Sequence, residues 1–192
     1  MAMRRDDCIR ALGAHRGEAI IVATYQAAFD LMRIAPHPLN YLSVGAMGQA
    51  SSHALGLALG RPDRRVIVLD GDGSLLMNLG TLVTIAGAAP ANLVHFVCDN
   101  GCYEANGSHP LPGGGGVDFA GLAKAAGIRD VSMFDALPAF EAELPGLLTR
   151  PGPVFATLKI VPGDPSPQEY DVIHGAETRR RFKEALGATV PA

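Results

Sequence analysis

The chain has 192 residues, 48% of them hydrophobic, and a formal net charge of −3 at pH 7. This size and composition predict a single globular domain with a core of its own, and the charge excludes the strongly basic surface of a nucleic-acid-binding protein. Three cysteines without paired spacing exclude a disulfide framework and a zinc site, and no apolar run approaches the ~20 residues of a membrane span.

The N-terminal segment carries charges where a signal peptide would need its apolar core, which predicts a cytoplasmic protein. Apolar residues recur at helical spacing from Arg4 to His15, so we expect a short surface helix there. Its basic pair, Arg4 and Arg5, is interpreted as a solvated face or a contact with a partner.

A short apolar run from Ala19 to Ala23 predicts the first strand, and a helix is expected from about Ala27 to Arg33. Thr24 stands between them, at the carboxyl end of the strand. It could cap the helix, or its hydroxyl could donate a hydrogen bond to a ligand, because ligands of open α/β sheets bind beyond the carboxyl ends of strands.

A loop with two prolines follows from Ile34 to Asn40, and then a short strand from Tyr41 to Val44 that runs into a Gly-Ala-Met-Gly turn at positions 45–48. A helix lined with small residues is predicted from Ala50 to Leu59. Its His53 is either a packed histidine or one that reaches a ligand.

The central part of the chain predicts a strand–helix–strand unit. An apolar run from Val66 to Leu69 has the length and β-branching of a buried strand, and it ends in the acidic glycine turn DGDGS at positions 70–74. A helix is expected from about Leu75 to Ala88, followed by a second buried strand from Leu93 to Cys98. The right-handed crossover of such a unit places both strand ends at the same edge of a parallel sheet.

Polar side chains follow both strands of this unit. Asp72 lies in the glycine turn, and Asn100 follows the second strand after Asp99, so we expect Asp72 and Asn100 to meet. A carboxylate and an amide oxygen beside a glycine turn at a helix start suit Mg²⁺ that carries a diphosphate. The residues alone therefore predict a metal and diphosphate site at this edge.

The remaining elements complete an α/β pattern. The loop after Asn100 ends in four glycines, Gly113 to Gly116, which form either a passive linker or a lid over the site. The elements that follow are a helix from Asp118 to Ala126 capped by Asp118, a strand from Val131 to Met133, a helix from Leu137 to Thr149 and a strand from Pro153 to Ile160.

We predict a three-layer α/β/α fold with a mostly parallel central sheet, and one domain that spans residues 1–192. Residues 162–192 are Pro-rich at first and then polar and helical, and we expect them to form a C-terminal extension that packs on a partner or frays in solvent.

Three motifs carry a resemblance to a known family. They are LSVGAMGQASS at positions 42–52, GLALGRPDRRVIVLDGDGSLLMNLGTL at positions 56–82, and Asp99-Asn100 with Tyr103 after them. Their combination resembles the thiamine diphosphate fingerprint, and most of all the beta subunit of sulfopyruvate decarboxylase and the related phosphonopyruvate decarboxylases. The resemblance is strong from about Asn40 to Pro110.

The resemblance implies thiamine diphosphate and Mg²⁺ as cofactors. It assigns these residues to the cofactor: Thr24, Gly45, Met47, Gly71, Asp72, Gly73, Ser74, Asn100, Cys102 and Tyr103. Asp72, the side chain of Asn100 and the backbone carbonyl of Cys102 would bind the metal. The Gly45 carbonyl would bind the amino group of the pyrimidine, and Met47 would hold the cofactor bent, so that this amino group lies near the thiazolium C2 proton.

The resemblance also implies a partner subunit. In the superfamily a glutamate from a separate pyrimidine-binding domain activates the cofactor, and this chain has room only for the diphosphate-binding domain. We therefore expect the chain to be inactive alone and to assemble with a pyrimidine-binding (alpha) subunit that supplies the glutamate, as α2β2 or larger.

The implied reaction is the non-oxidative decarboxylation of a small 2-oxo acid, such as sulfopyruvate or phosphonopyruvate, to an aldehyde and CO₂. Tyr103, Glu104 and His109 are the residues expected to act on the substrate, although Glu104 replaces a smaller residue of the relatives and His109 stands where glutamine is usual. A glutamate would repel an anionic tail, whereas a protonated histidine could bind that tail or donate the proton. The particular substrate therefore stays open.

Other functions stay open beside this one. A carboligase or acetolactate-synthase-like half-enzyme shares the fingerprint, and so would a non-catalytic thiamine diphosphate-binding module. An oxidative 2-oxo acid:ferredoxin enzyme is disfavoured by the few cysteines, and a nicotinamide-binding protein by the lack of GxGxxG after the first strand. Cys102 as a nucleophile is disfavoured because no histidine is adjacent to it.

Overall fold

The computed structural model describes residues 3–113, 116–163 and 166–187. The strands of this part are β1 (Ile20–Ala23), β2 (Asn40–Tyr41), β3 (Val66–Gly71), β4 (Leu93–Asp99), β5 (Cys102–Tyr103), β6 (His109–Pro110), β7 (Asp130–Phe134) and β8 (Val154–Lys159). Six of them form a sheet in the order β2-β1-β3-β4-β8-β7, with every neighbouring pair parallel, while β5 and β6 form a separate antiparallel hairpin.

Helices cover both faces of the six-stranded sheet. They are α1 (Arg5–His15), α2 (Gln26–Ile34), α3 (Ala50–Gly60), α4 (Asp72–Leu76), α5 (Gly80–Ala88), α6 (Phe119–Ala125), α7 (Leu137–Thr149), α8 (Tyr170–Ile173) and α9 (Ala176–Leu186). Because successive strand residues point to opposite faces, Ile21 and Ile67 join a core with α1, α2 and α7, whereas Ile20 and Val66 join a second core with α3, α5 and α6. The predicted three-layer α/β/α fold is confirmed.

The order of the strands creates a point where the direction of the winding changes. From β1 the chain goes to β2 on one side, and β3 then pairs with β1 on the other side. Loops that leave β1 and β3 therefore diverge and open a crevice at the carboxyl edge of the sheet, which is the usual ligand site in folds of this kind.

The helix predicted from Leu75 to Ala88 is wrong in its extent. The structure has two helices instead, α4 from Asp72 to Leu76 and α5 from Gly80 to Ala88. Tight turns between them are closed by hydrogen bonds from Met77 N to Ser74 O and from Asn78 N to Leu75 O. The Asn78 side chain donates to the carbonyl of Gly48 (3.0 Å), so a contact with a distant loop holds this break.

The strand predicted from Tyr41 to Val44 is also shorter than expected, since β2 comprises only Asn40 and Tyr41. The chain then leaves the sheet, and the Ser43 hydroxyl donates a hydrogen bond to the carbonyl of Ile173 in α8. This bond is one of the contacts that join the residues after β2 to the C-terminal part of the chain.

The C-terminal helices α8 and α9 pack on the rest of the chain rather than fraying in solvent, and the expected contact of this extension with a partner stays a prediction. Ile173 of α8 and Phe182 of α9 are buried, and the Phe182 ring meets the Tyr41 ring edge to face, with centroids 5.1 Å apart. Burial of such apolar side chains is what attaches α8 and α9 to the rest of the chain.

No helix within residues 3–113, 116–163 and 166–187 has the length and apolar character needed to cross a membrane. Two residues of the predicted glycine lid, Gly114 and Gly115, lie outside the described residues, so the lid stays a prediction.

Candidate functional site

A cleft opens at the carboxyl edge of the sheet, where the winding changes direction. The cavity volume of this cleft is about 50 Å³. It is lined by residues 24–27 after β1, by residues 71–74 at the end of β3 and after it, and by Arg5 and Met47. The remaining lining residues, at the end of β4 and in the hairpin after it, are Cys98, Asn100 and residues 102–105. The cleft therefore lies where the sequence predicted the diphosphate site.

Asp72 is buried in this cleft, and its carboxylate accepts three backbone hydrogen bonds. The Oδ2 atom accepts from the N–H groups of Asn100 (2.9 Å) and Gly101 (2.7 Å), and the Oδ1 atom accepts from Gly73 (2.7 Å). Burial raises the pKa of the Asp72 carboxyl above its ordinary value, although the N–H donors oppose the shift, and nearby Asp99 adds to it. A cation beside Asp72 would favour the charged form, so this carboxylate suits a metal ligand.

The prediction that Asp72 and Asn100 meet is confirmed by these hydrogen bonds. The amide oxygen of Asn100 accepts a hydrogen bond from the backbone N–H of Cys102 (3.0 Å), which folds the chain into a tight turn after β4. Burial raises the pKa of the Cys102 thiol, and Glu104 and Asp72 raise it further, so the thiol stays protonated near neutral pH. A protonated thiol is a poor nucleophile, and the role of the Cys102 backbone in binding the metal stays a prediction.

The other predicted cofactor residues divide between this cleft and a neighbouring cavity. Met47 and Ser74 line the cleft, and the Ser74 hydroxyl accepts a hydrogen bond from Gly48 N (2.9 Å). Thr24 lines both spaces, and Gly45, at a φ of +84°, lines only the neighbouring cavity. Two of the three motifs that carried the resemblance, positions 42–52 and 56–82, are therefore in direct contact.

Tyr103 covers the glycine turn. A Cβ atom added at Gly73 would lie 2.4 Å from Cδ1 of the Tyr103 ring and 3.1 Å from Leu111. Only glycine allows this approach, which explains the residue type at position 73.

We expect Gly73→Ala to destabilise the chain by about 1–3 kcal/mol and to weaken cofactor binding, because the new methyl group must displace the Tyr103 ring. Urea unfolding and calorimetric titration measure the two effects. The matched control is Gly80→Ala in α5, where nothing lies within 4 Å of the added Cβ and the helix should gain up to about 1 kcal/mol. Equal stability of the two variants would contradict the contact.

An ion network borders the cleft on the side of α1 and α2. The Arg5 Nε atom donates to Asp30 (2.6 Å), and its Nη1 atom donates to Glu104 (2.6 Å). All three side chains are less than 10% exposed. The second oxygen of Glu104 accepts the backbone N–H of Gly163 (3.1 Å). Arg5 thereby ties the hairpin after β4 to the helices α1 and α2.

This network corrects the interpretation of Arg4 and Arg5 as a solvated basic cluster, because Arg5 is buried and Arg4 alone is exposed. It also bears on Glu104, which was predicted to act on the substrate. Both of its oxygens already have partners, and Arg5 neutralises its charge. The expected repulsion of an anionic tail by this glutamate is therefore offset.

The predicted histidines lie away from the cleft lining. His109 is exposed on β6, where it pairs with Tyr103 of β5 across the hairpin. His53 is half-buried in α3, with its ring centroid 5.5 Å from that of Tyr41. The structure thus favours the packed interpretation of His53, and a catalytic role for His109 stays a prediction.

The residues in or beside the cleft that the sequence analysis did not assign to the site include four with polar side chains: Arg5, Tyr25, Gln26 and Asp30. Tyr25 and Gln26 could have been found, because they follow the same strand end as Thr24. Arg5 and Asp30 had no local signal, since their pairing joins separate helices.

Within the described ranges, no group of three or more His, Cys, Asp or Glu side chains could hold a metal ion. A magnesium site here would rest on one carboxylate with amide and carbonyl oxygens, which are the hard ligands that Mg²⁺ prefers. Asp72, Asn100 and the backbone of Cys102 provide that donor chemistry.

Comparison with known proteins decides the family. Residues 22–157 match the family described as "Thiamine pyrophosphate enzyme, C-terminal TPP binding domain". The chain belongs to this family of thiamine pyrophosphate (thiamine diphosphate) enzymes. The match confirms the recognised family, and it confirms thiamine diphosphate as the cofactor.

Two proteins named as decarboxylases are similar to this chain over most of its length. Sulfopyruvate decarboxylase subunit beta from Methanothermobacter thermautotrophicus is 37% identical over 190 residues, which cover 98% of this chain and 99% of that protein. Phosphonopyruvate decarboxylase from Streptomyces hygroscopicus is 36% identical over 174 residues, which cover 91% of this chain but only 43% of that protein. The chain therefore has the length of the first relative and spans under half of the second.

A solved structure of the same fold is the thiamine diphosphate-dependent 4-hydroxybenzoylformate decarboxylase of Rhodococcus jostii RHA1. It superposes with a TM-score of 0.67 at 20% identity and covers 86% of this chain and 34% of that enzyme. At this identity the likeness shows the fold alone.

Proposed function

We propose that the chain is the diphosphate-binding subunit of a non-oxidative, Mg²⁺-dependent 2-oxo acid decarboxylase. The observation that carries the proposal is the contact of Asp72 with the backbone of Asn100 and Gly101 in a cleft at the sheet edge. The near full-length similarity to a sulfopyruvate decarboxylase beta subunit supports the choice of reaction.

In this proposal the metal is held by a carboxylate oxygen of Asp72, the amide oxygen of Asn100 and the backbone carbonyl of Cys102. Ser74 binds the diphosphate with its hydroxyl and its backbone N–H, assisted by the Thr24 hydroxyl from the end of β1. The glycines of the turn allow the phosphate groups to approach the backbone closely.

The remaining cofactor residues shape and orient the organic part. Gly45 would offer its carbonyl to the pyrimidine amino group, Met47 would pack against the organic part of the cofactor, and Tyr103 covers the glycine turn from the hairpin. The bound cofactor supplies the electron sink for the loss of CO₂. The residues of the chain itself bind and orient the cofactor, and they exclude water from it.

A partner subunit is part of the proposal, in a cytoplasmic α2β2 or larger assembly. The relatives named above include one called subunit beta. In the part of the chain that the structure describes, the one glutamate that lines the cleft is Glu104, and Arg5 and Gly163 engage its carboxylate. The glutamate that activates the pyrimidine therefore comes from the alpha subunit.

The proposal is tested by reconstitution. We expect the purified chain to release no CO₂ from sulfopyruvate or phosphonopyruvate, and its complex with the co-purifying partner to release CO₂ and an aldehyde in the presence of thiamine diphosphate and Mg²⁺. Full activity of the isolated chain would contradict the need for a partner. An acyloin as the product would identify a carboligase instead, and binding without turnover in the complex would identify a non-catalytic module.

A further inference from the structure

A second cavity lies at the amino ends of β1 and β2, at the opposite edge of the sheet from the cofactor cleft. Its volume is about 480 Å³, and it is formed by the end of α1 and by the loops that lead into β1 and β2. Three of its lining residues have basic side chains, namely Arg10, Arg16 and His37, and no carboxylate belongs to the lining within the described ranges. We call this cavity the basic crevice.

Arg16 is a buried cation without an ion-pair partner in the part of the chain that the structure describes. It is 7% exposed, and its Nη1 and Nη2 atoms donate to two neutral groups, the side-chain oxygen of Asn40 and the carbonyl of Ala19. Glu18, the nearby carboxylate, is 80% exposed and lies 3.8 Å from Arg64 instead. Burial lowers the pKa of the Arg16 guanidinium to about 10, and Glu18 offsets this shift only in part. A buried charge of this kind is costly until an opposite charge neutralises it.

Arg16 also has unused hydrogen-bond donors. A guanidinium carries five N–H groups, and the bonds to Asn40 and Ala19 use two of them. The buried Nε atom has no acceptor among the described residues. Holding the end of α1 against β2 therefore takes only part of what this side chain offers, and an acceptor from outside the chain would relieve the cost of the rest.

His37 supplies a further donor beside Arg16. Its Nδ1 atom accepts the backbone N–H of Leu39 (3.1 Å), so the proton of the neutral imidazole is on Nε2. Burial lowers the pKa of His37, and the charge of Arg16 lowers it further, so the ring is a neutral donor near pH 7. Arg10 adds a second cation to the crevice, although Asp6 and Asp7 already pair with it.

We propose that the basic crevice binds a small molecule through a phosphate group. The planar fork of a guanidinium matches two oxygens of a phosphate, and the tetrahedral group has a further oxygen for the Nε2 donor of His37. The other lining residues, at positions 13–14, 17 and 34–36, are small or apolar, and they leave room for an organic body. A carboxylate has only two oxygens and one charge, so it would leave part of this donor set unused. The site is separate from the cofactor cleft, and its existence does not depend on the proposed reaction.

The test uses the heteromeric complex saturated with thiamine diphosphate and Mg²⁺, so that the diphosphate-binding turn is already occupied. Inorganic phosphate and, separately, acetate are titrated into it by calorimetry at equal ionic strength. We expect saturable binding of one phosphate for each copy of this chain, and weaker binding of acetate. Arg16→Gln should weaken phosphate binding about tenfold or more, as for lost hydrogen bonds to a charged group. His37→Phe keeps a ring but removes the Nε2 donor, and it should weaken the binding about fivefold.

Arg65→Gln is the matched control. Arg65 precedes β3 at the same edge of the sheet, is half-buried, and donates to the carbonyls of Ala91 and Arg150, but it does not line the basic crevice. We expect this change to leave the affinity for phosphate as it is in the wild type. The melting temperature is measured for every variant, because an Arg16 that only holds α1 against β2 would lower it in Arg16→Gln without changing phosphate binding.

Three results would overturn the proposal. They are the absence of saturable phosphate binding by the wild-type complex, equal phosphate affinity in the wild type, Arg16→Gln and His37→Phe, and binding of acetate as tight as that of phosphate. If Arg16→Gln does not fold, His37→Phe decides the question, because His37 is half-buried in a loop. A complex that binds phosphate in this way but decarboxylates no 2-oxo acid would refute the proposed function and leave the phosphate site in place.

Discussion

Replacing Asp72 with asparagine is expected to abolish Mg²⁺-dependent binding of thiamine diphosphate and the activity that depends on it. The change removes the buried carboxylate of Asp72, which lies in the cleft with Asn100 and Cys102 and is the proposed charged ligand of the metal. Residues that only orient metal ligands already cost ~10–100-fold in affinity or activity when mutated, so a ligand itself should cost more than about 100-fold. Calorimetric titration of the complex measures the affinity, and release of CO₂ measures the activity.

The same substitution has a predictable effect on stability. One oxygen of Asp72 accepts two backbone N–H groups and the other accepts one. An asparagine must turn its NH₂ group toward one of these sets, which leaves donors facing donors at a cost of about 1–3 kcal/mol. Asp63→Asn is the control, because that carboxylate lies on the surface beside Arg61. Unchanged Mg²⁺-dependent affinity in Asp72→Asn would exclude Asp72 as a ligand.

Arg5→Met is expected to give the largest loss of stability, about 3–5 kcal/mol, as for removal of one partner from a buried ion pair. It would leave the carboxylates of Asp30 and Glu104 buried without their cation. Because Glu104 belongs to the hairpin after β4, the same change should loosen Cys102 and Tyr103 and weaken cofactor binding. Urea unfolding and calorimetry measure these two effects.

The double variant Arg5→Met with Glu104→Gln distinguishes this pairing from a general effect of losing Arg5. Neutralising Glu104 removes one of the two unpaired charges, so the double variant should be more stable than the sum of the single changes predicts. Arg10→Met serves as the control, since Arg10 is 57% exposed and its ion pairs with Asp6 and Asp7 contribute little. Additive effects in the double variant would show that Arg5 and Glu104 do not interact.

The parts of the site that could be predicted from the sequence are those that follow from the ends of neighbouring strands. Asp72 follows the buried strand β3, and Asn100 follows the buried strand β4. Parallel pairing of β3 with β4 is enough to bring these two residues together. The three-layer fold follows from the same alternation of strands and helices. Local patterns were therefore enough to predict the fold class and to place Asp72 and Asn100 at the same edge of the sheet.

The parts that could not be predicted depend on contacts between distant segments. Arg5 pairs with Asp30, 25 positions away, and with Glu104, 99 positions away. The local sequence pattern around these residues indicates neither pair. The break between α4 and α5 depends on Asn78 reaching Gly48. Tyr25 has a φ of 48°, which runs against the preference of its residue type, so sequence alone would not predict this conformation.

The central claim is that this chain holds the metal and diphosphate half of a thiamine diphosphate site that a partner completes. Its most direct test is calorimetric titration of thiamine diphosphate, with and without Mg²⁺, into the isolated chain and into the heteromeric complex. The account predicts binding that requires Mg²⁺, with one cofactor for each copy of this chain in the complex and much weaker binding to the chain alone. Absence of binding in both forms, or binding that ignores Mg²⁺, would contradict it.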